Sequence, residues 1–225
     1  MSSQSPPQSE TELMTRATAL AGQTLDEIAL RFGQRVPCTL HNAKGWIGEL
    51  IESALGASAQ SRPVPDFEDI GIELKTIPLN KHLRPAESTF VSTVPLRNLV
   101  GLRWADCTVK AKLNRVLWVP VEAAKEIPVS KRRIGMPLLW SPSRGDAEIL
   151  RGDWEEHIEQ IALGNLDQID ARLGTYLQVR PKAPNRQELT LTTDASGACV
   201  SSLPRGFYLR ASYTRKILAE SREQR

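Results

Sequence analysis

The chain has 225 residues, 40% of them hydrophobic and 24% charged, which excludes a largely disordered protein and allows one large domain or two small ones. Its 29 Lys and Arg against 26 Asp and Glu leave a formal net charge of +3, too little for a protein that coats nucleic acid by charge alone. Cys38, Cys107 and Cys199 form no CxxC or Cys/His pair, and His41, His82 and His157 are scattered; this argues against zinc, favours a reducing compartment, and leaves carboxylates and lysine to carry any chemistry.

Residues 1–9 are polar and proline-containing, with no basic or apolar leader region, and read as a flexible tail. No apolar run is long enough to span a bilayer, so a soluble cytoplasmic protein with no membrane association is expected. Ser9 to Glu12 fits a capping box opening a helix with Leu13, Ala17 and Leu20 on one face and Gly22 as its stop. Thr24 to Glu27 repeats the device for a shorter helix ending near Gly33. From Lys44, Trp46, Ile47, Leu50, Ile51, Ala54 and Leu55 recur at helical spacing up to Gly56, with Glu49, Glu52 and Ser53 on the other face.

The stretch DFEDIGIELKT follows a linker-like loop and alternates with period two, which predicts a half-buried strand with Ile70, Ile72 and Leu74 on one face and Glu73 and Lys75 on the other. STFVSTVPL is expected to pair with it as a hairpin. RVLWVPVE has the composition of a strand buried on both faces, and MPLLW is a shorter apolar stretch. A helix is predicted over 145–163, striped by Trp154, Ile158, Ile161 and Ala162, and a shorter one over 166–173. TYLQVRP and GFYLRAS read as late strands, the residues from Pro184 to Ser202 as a polar loop, and a last helix follows Ser212. The sum is a mixed α/β fold with a central sheet flanked by helices. Neither GxGxxG nor GxxxxGK[ST] occurs, so a nucleotide cofactor is not expected.

Asp66, six intervening residues, Glu73, one residue and Lys75 make the D…ExK arrangement of metal-dependent DNA-cleaving enzymes. Mg²⁺ prefers hard oxygen ligands and keeps several waters, so Asp66, Glu73 and a backbone carbonyl such as that of Leu74 would make a suitable half-shell. Lys75 could hold or deprotonate an attacking water and counter the charge that builds on a phosphodiester. Glu52, on the preceding helix, would add the carboxylate that a second metal position needs. The bland alternatives are a solvated ion pair on an edge strand for Glu73 and Lys75, and a surface helix residue for Glu52.

The segments KGWIGELIESALGAS, PDFEDIGIELKTIPL, TFV, RVLWVPVE, RRIGMPLLWSP, DWEE, YLQVRPKA and LPRGFYL, in this order from about residue 10 to about residue 218, closely resemble the MutH family of DNA mismatch repair endonucleases. The resemblance implies a restriction-endonuclease-like α/β domain over 10–225, built as two lobes around a DNA-binding cleft. It implies Mg²⁺-dependent nicking, with Mn²⁺ as a substitute, 5′ to the G of GATC on the unmethylated strand of hemimethylated DNA. The implied partners are double-stranded DNA containing GATC, the ATPase MutL as activator and, indirectly, MutS, with the enzyme a monomer.

Residue by residue, Asp66 and Glu73 match the family's metal-binding carboxylates, Lys75 its catalytic lysine and Glu52 its additional acidic residue. Lys44 and Gly45 match residues that approach DNA. Arg180, Pro181 and Lys182 match a loop that reads bases in the major groove, and Tyr208 an aromatic that helps to sense the adenine methyl. Arginine can bond guanine O6 and N7 together, and lysine serves a base or a phosphate. Phe90, Lys112 and Arg115 are further DNA-facing candidates. The loop from Pro184 to Ser202 and the terminal ESREQR depart from the family pattern. A stand-alone type II restriction endonuclease recognising GATC is the competing enzyme reading. A DNA-binding regulator without catalysis is a third, and intact Glu52, Asp66, Glu73 and Lys75 count against it.

Overall fold

The computed structural model describes residues 4–37, 40–59, 62–170, 172–182 and 189–223, without the side chains of 40–44 and 221–223. In chain order the elements are α1 (Glu10–Leu20), α2 (Leu25–Arg31), α3 (Leu40–Leu55), β1 (Glu73–Leu79), β2 (Thr89–Thr93), α4 (Thr108–Leu113), β3 (Val116–Glu122), β4 (Leu138–Trp140), α5 (Arg144–Ala162), β5 (Leu177–Pro181), β6 (Thr190–Thr193), β7 (Cys199–Ser202), β8 (Arg205–Leu209) and α6 (Ala211–Glu223). They form two compact units. The first takes the described parts of Met1–Glu87, Asn114–Ser141 and Ile217–Arg225, and the second takes those of Ser88–Leu113 and Pro142–Lys216.

Helix starts in the first unit follow local chemistry. Ser9 Oγ accepts from Glu12 N–H at 3.1 Å, while the Glu12 carboxylate reaches back to Gln8 N–H at 2.8 Å rather than to Ser9. Thr24 N–H donates to Glu27 Oε2 at 2.7 Å, the returning arm of a capping box. α3 begins upstream of the expected Lys44, at Leu40, and ends at Leu55, followed by Gly56, whose φ of +81° and close approach to Ser5 O exclude a side chain.

The hairpin expected between the first two strands does not form. β1 instead pairs in parallel with β3, which pairs antiparallel with β4, giving the order β1-β3-β4. β3 is buried over six of its seven residues, as its continuous apolar run predicts. The half-solvated reading of the first strand is also corrected: β1 starts at Glu73, and Glu73 is only 1% exposed beside Leu74 at 5%. Ile70 lies in a 3-10 turn ahead of the strand. Leu13, Leu25, Ile28, Leu50, Ile51, Leu55, Ile72 and Leu117 belong to one continuous core.

The second unit holds a separate antiparallel sheet of order β2-β8-β5 and a two-stranded ribbon, β6-β7. There is thus no single central sheet among the described residues; the α/β class stands, with small sheets in each unit. The ribbon lies where a polar loop was expected, because Thr190, Thr192 and Val200 supply β-branched residues around the tight turn at Gly197. The helix expected over 166–173 is reduced to a 3-10 turn at Leu166–Gln168. α5 buries Trp154, Ile158 and Ile161 as expected, whereas Ala162 is exposed. Asp153 of α5 accepts from the N–H groups of Thr175, Tyr176 and Leu177 at 2.7, 2.6 and 2.8 Å, fixing the start of β5.

Candidate active site and recognition face

In the first unit the chain doubles back on itself between Asp66 and β1. Phe67 and Ile72 exchange backbone hydrogen bonds at 2.8 and 3.2 Å around the Glu68–Ile70 turn, and Gly71, with φ +64°, closes it. This reversal brings the Asp66 side chain to the backbone of the strand, where Leu74 N–H donates to Asp66 Oδ2 at 2.8 Å. The Asp66 carbonyl accepts from Ser58 and Ala59 N–H at 2.9 and 3.2 Å, so the segment leaving α3 is tied to the same residue.

β1 carries the other members. Lys75 Nζ is ion-paired with Glu73 Oε1, the lysine side chain 14% exposed and the glutamate 1%. In the parallel register Glu73 stands opposite Val116 and Lys75 opposite Trp118. Glu52, on α3, has its carboxyl pushed above the usual range, first by burial and then by the negative charge of Asp66, with Lys75 opposing and Glu49 and Glu73 adding to the rise. The Glu52 carboxyl thus feels the charges of Asp66, Glu73 and Lys75, the lysine opposing the two carboxylates.

The donor set suits a hard divalent ion. No group of three or more His, Cys, Asp and Glu side chains among the described residues is arranged to hold a metal, so Glu52 does not complete a ready-made cage. Mg²⁺ needs none, because it takes one or two carboxylates and fills its octahedron with water and substrate phosphate. Asp66 and Glu73 are the carboxylates that could serve such an ion.

A second group of residues gathers in the second unit on one face of β2-β8-β5. The register pairs Phe90 with Tyr208 and Gln178 with Tyr208 in one row, and Thr93 with Gly206 and Arg180 with Gly206 in the next. Phe90 and Thr93 are three apart and would point to opposite faces of a regular strand. The register slips between Phe90 and Ser92, and this bulge at Val91 restores both to one face. Leu177, Val179, Phe207 and Leu209 face the other way and are buried.

The rings of Phe90 and Tyr208 meet edge to face with centroids 5.3 Å apart. Arg180 lies 5.8 Å over the Tyr208 ring and Lys182 lies 5.0 Å over that of Phe90. Two hydroxyls from the β2 side complete the arrangement: Arg180 Nη1 donates to Ser88 Oγ at 2.7 Å, and Lys182 Nζ to Thr93 Oγ1 at 3.1 Å. Arg180 and Pro181 form the end of strand β5 rather than a loop, with Lys182 just beyond.

Other expected DNA-facing residues fare differently. Gly45 is exposed on α3, while the Lys44 side chain lies outside the described residues. Arg115 is engaged by a two-pronged ion pair with Glu10, at 2.9 and 2.8 Å, and so serves the packing of α1 in this structure. Lys112 is half-buried on α4. Ser88, Thr93, Gly206 and Gln178 were missed by sequence reasoning. Only the pairing of β2 with β8 and of β8 with β5 reveals them, and no local pattern announces those pairings.

The profile of the family described as DNA mismatch repair enzyme MutH matches residues 55–153. Three proteins bearing the name DNA mismatch repair protein MutH are similar over nearly the whole chain. That of Vibrio campbellii is 50% identical over 212 residues, covering 94% of either chain. That of Yersinia enterocolitica is 50% identical over 214 residues, covering 95% of this chain and 94% of its own. That of an Escherichia coli O127:H6 strain is 49% identical over 215 residues, covering 96% and 94%.

Proposed function

The chain belongs to the family of the DNA mismatch repair enzyme MutH, and from that membership we propose that it is a Mg²⁺-dependent endonuclease of methyl-directed mismatch repair. It nicks the unmethylated strand 5′ to the G of hemimethylated GATC sites, in the cytoplasm, as a monomer activated by MutL and indirectly by MutS. Its fold is of the restriction-endonuclease kind, the first unit supplying the cleavage chemistry and the second the base reading. The observation that carries the proposal is the joining of Asp66, Glu73 and Lys75 at β1, with Glu52 in the same field.

Asp66 and Glu73, with the Leu74 carbonyl, would hold Mg²⁺, or Mn²⁺ in its place. The ion, when bound, supplies charge neutralisation at the phosphodiester and lowers the pKa of water. Asp66 is oriented for this by the Leu74 N–H, which donates to its Oδ2. Lys75, ion-paired with Glu73, would hold the attacking water through an ammonium N–H, and its positive charge would oppose the charge building on the phosphate. Glu52 adds a carboxylate whose pKa is raised first by burial and then by the negative charge of Asp66.

Recognition follows from the face on β2-β8-β5. Arg180 has the forked donors that match guanine O6 and N7, and Lys182 can serve base or phosphate. A methyl on adenine N6 removes a donor and adds bulk in the major groove, which the close-set rings of Tyr208 and Phe90 exclude by contact.

The test is nicking of covalently closed circular DNA with one hemimethylated GATC site, in Mg²⁺, with and without MutL and ATP. Incision confined to the unmethylated strand and stimulated by MutL is the expected result. Double-strand cleavage indifferent to MutL would replace this proposal by a stand-alone restriction enzyme, and no incision under any condition would end it.

A further inference from the structure

Gly206 is at the centre of the face on β2-β8-β5, and its backbone gives no reason for a glycine. It is not one of the chain's positive-φ glycines, and in β8 it pairs with Thr93 on one side and Arg180 on the other. A glycine inside a strand costs stability and leaves a gap, which often marks a close approach by another group. Here the approaching groups are identified. A Cβ at Gly206 would lie 2.9 Å from a ring carbon of Phe90 and 2.9 Å from one of Tyr208. Carbon atoms not bonded to one another prefer about 3.5–4.0 Å.

The two rings therefore rest in space that any side chain at position 206 would claim. They in turn carry the cations, Arg180 over Tyr208 and Lys182 over Phe90. Both rings are half-buried, so they can yield to a methyl group without unfolding the strand, but they cannot yield without moving.

We propose that Gly206 is a positioning residue for DNA recognition: its missing side chain seats the Phe90 and Tyr208 rings, and through them sets where Arg180 and Lys182 present their charges. This rests on the recognition reading given above. Gly206 touches no base; its effect on sequence preference is wholly through the residues it lets approach.

The experiment compares full-length wild type with Gly206→Ala in three measurements: thermal unfolding, the ring resonances of Phe90 and Tyr208, and the ratio of nicking rates on GATC duplexes and on duplexes with one base pair of the site changed. The expected result is a cooperative unfolding transition, shifted resonances of both rings, and a preference ratio lower by about tenfold. Shifted rings with an unchanged ratio, or rings that stay in place, would overturn the proposal.

Phe90→Leu covers the case in which Gly206→Ala folds poorly. It should lower the ratio by itself, and adding Gly206→Ala to it should lower the ratio little further, because the two changes act through one seat. Independent, multiplying losses would overturn the proposal. A wild-type chain without GATC preference would instead sink the recognition reading itself, a failure separable because it appears before any substitution is made.

Discussion

Leu74 N–H donates to Asp66 Oδ2 at 2.8 Å, so the first carboxylate of the D…ExK motif is held by the backbone of the strand that carries the other two members. An asparagine at 66 keeps an oxygen for that hydrogen bond but loses the charge, an NH2 group standing where the second oxygen was. Asp66→Asn is therefore expected to unfold near the wild-type temperature while nicking falls by at least about a hundredfold. A variant that nicks at the wild-type rate in Mg²⁺ would remove Asp66 from the chemistry.

Glu73 is the more demanding case, because it is buried against Lys75. Lys75→Met takes away a counter-charge of a buried carboxylate, and a loss of about 1–3 kcal/mol in urea unfolding is expected, together with loss of nicking and retention of DNA binding. Adding Glu73→Gln should cost less than the sum of the two single changes, since the charge that Lys75 countered is then gone. Strict additivity in that cycle would show that the pair is not coupled.

Arg180 and Lys182 should separate by the kind of loss they cause. Arg180→Ala is expected to cost about 1–3 kcal/mol of discrimination at one guanine while nonspecific binding changes little. A lysine serving phosphate would instead weaken binding to all sequences and reduce its salt dependence when replaced. Competition binding with single-base variants of the site at two salt concentrations distinguishes these outcomes.

His157 gives a pH signature in the second unit. Its ring is buried, Nε2 donates to Leu177 O at 3.2 Å, and Nδ1 is buried with no hydrogen-bond partner among the described residues. Burial pushes its pKa below the ordinary 6.5, against the opposing pull of the Leu177 carbonyl and Asp153. Below pH 6.5 the unfolded chain binds a proton that the folded chain resists, so this contribution to stability is full above that pH and declines as pH falls towards the folded pKa. Melting temperatures between pH 7.5 and 5.5 should fall less steeply in His157→Gln than in the wild type. Parallel slopes would place the acid sensitivity elsewhere.

Much of the proposed catalytic group could be picked out in the sequence because its members are close together and their types are those the proposed chemistry asks for: Asp66, Glu73 and Lys75 lie within one short segment. The helix starts were legible for a similar reason, since Ser9 Oγ accepts from Glu12 N–H, and the Glu27 carboxylate from Thr24 N–H, each within a single turn. β3 could be read from composition, because a strand covered on both faces leaves no place for polar side chains. The burial of Glu73 could not, since an alternating pattern in one strand does not say what covers its second face.

What only the tertiary structure decided is which strands mate. The choice of β3 over β2 as the partner of β1, the rows that place Thr93, Gly206 and Arg180 side by side, and the bulge that turns Phe90 towards Tyr208 all depend on segments far apart in the chain. Strand propensity is nearly indifferent to partner, and pairing energy comes from cross-strand packing and from burial of the opposite face. The amino-acid types and short spacings thus specified the helices, the buried strand and the residues proposed for cleavage. The distant pairings, which had to compete as whole sheets, created the face that carries Arg180, Lys182, Phe90 and Tyr208.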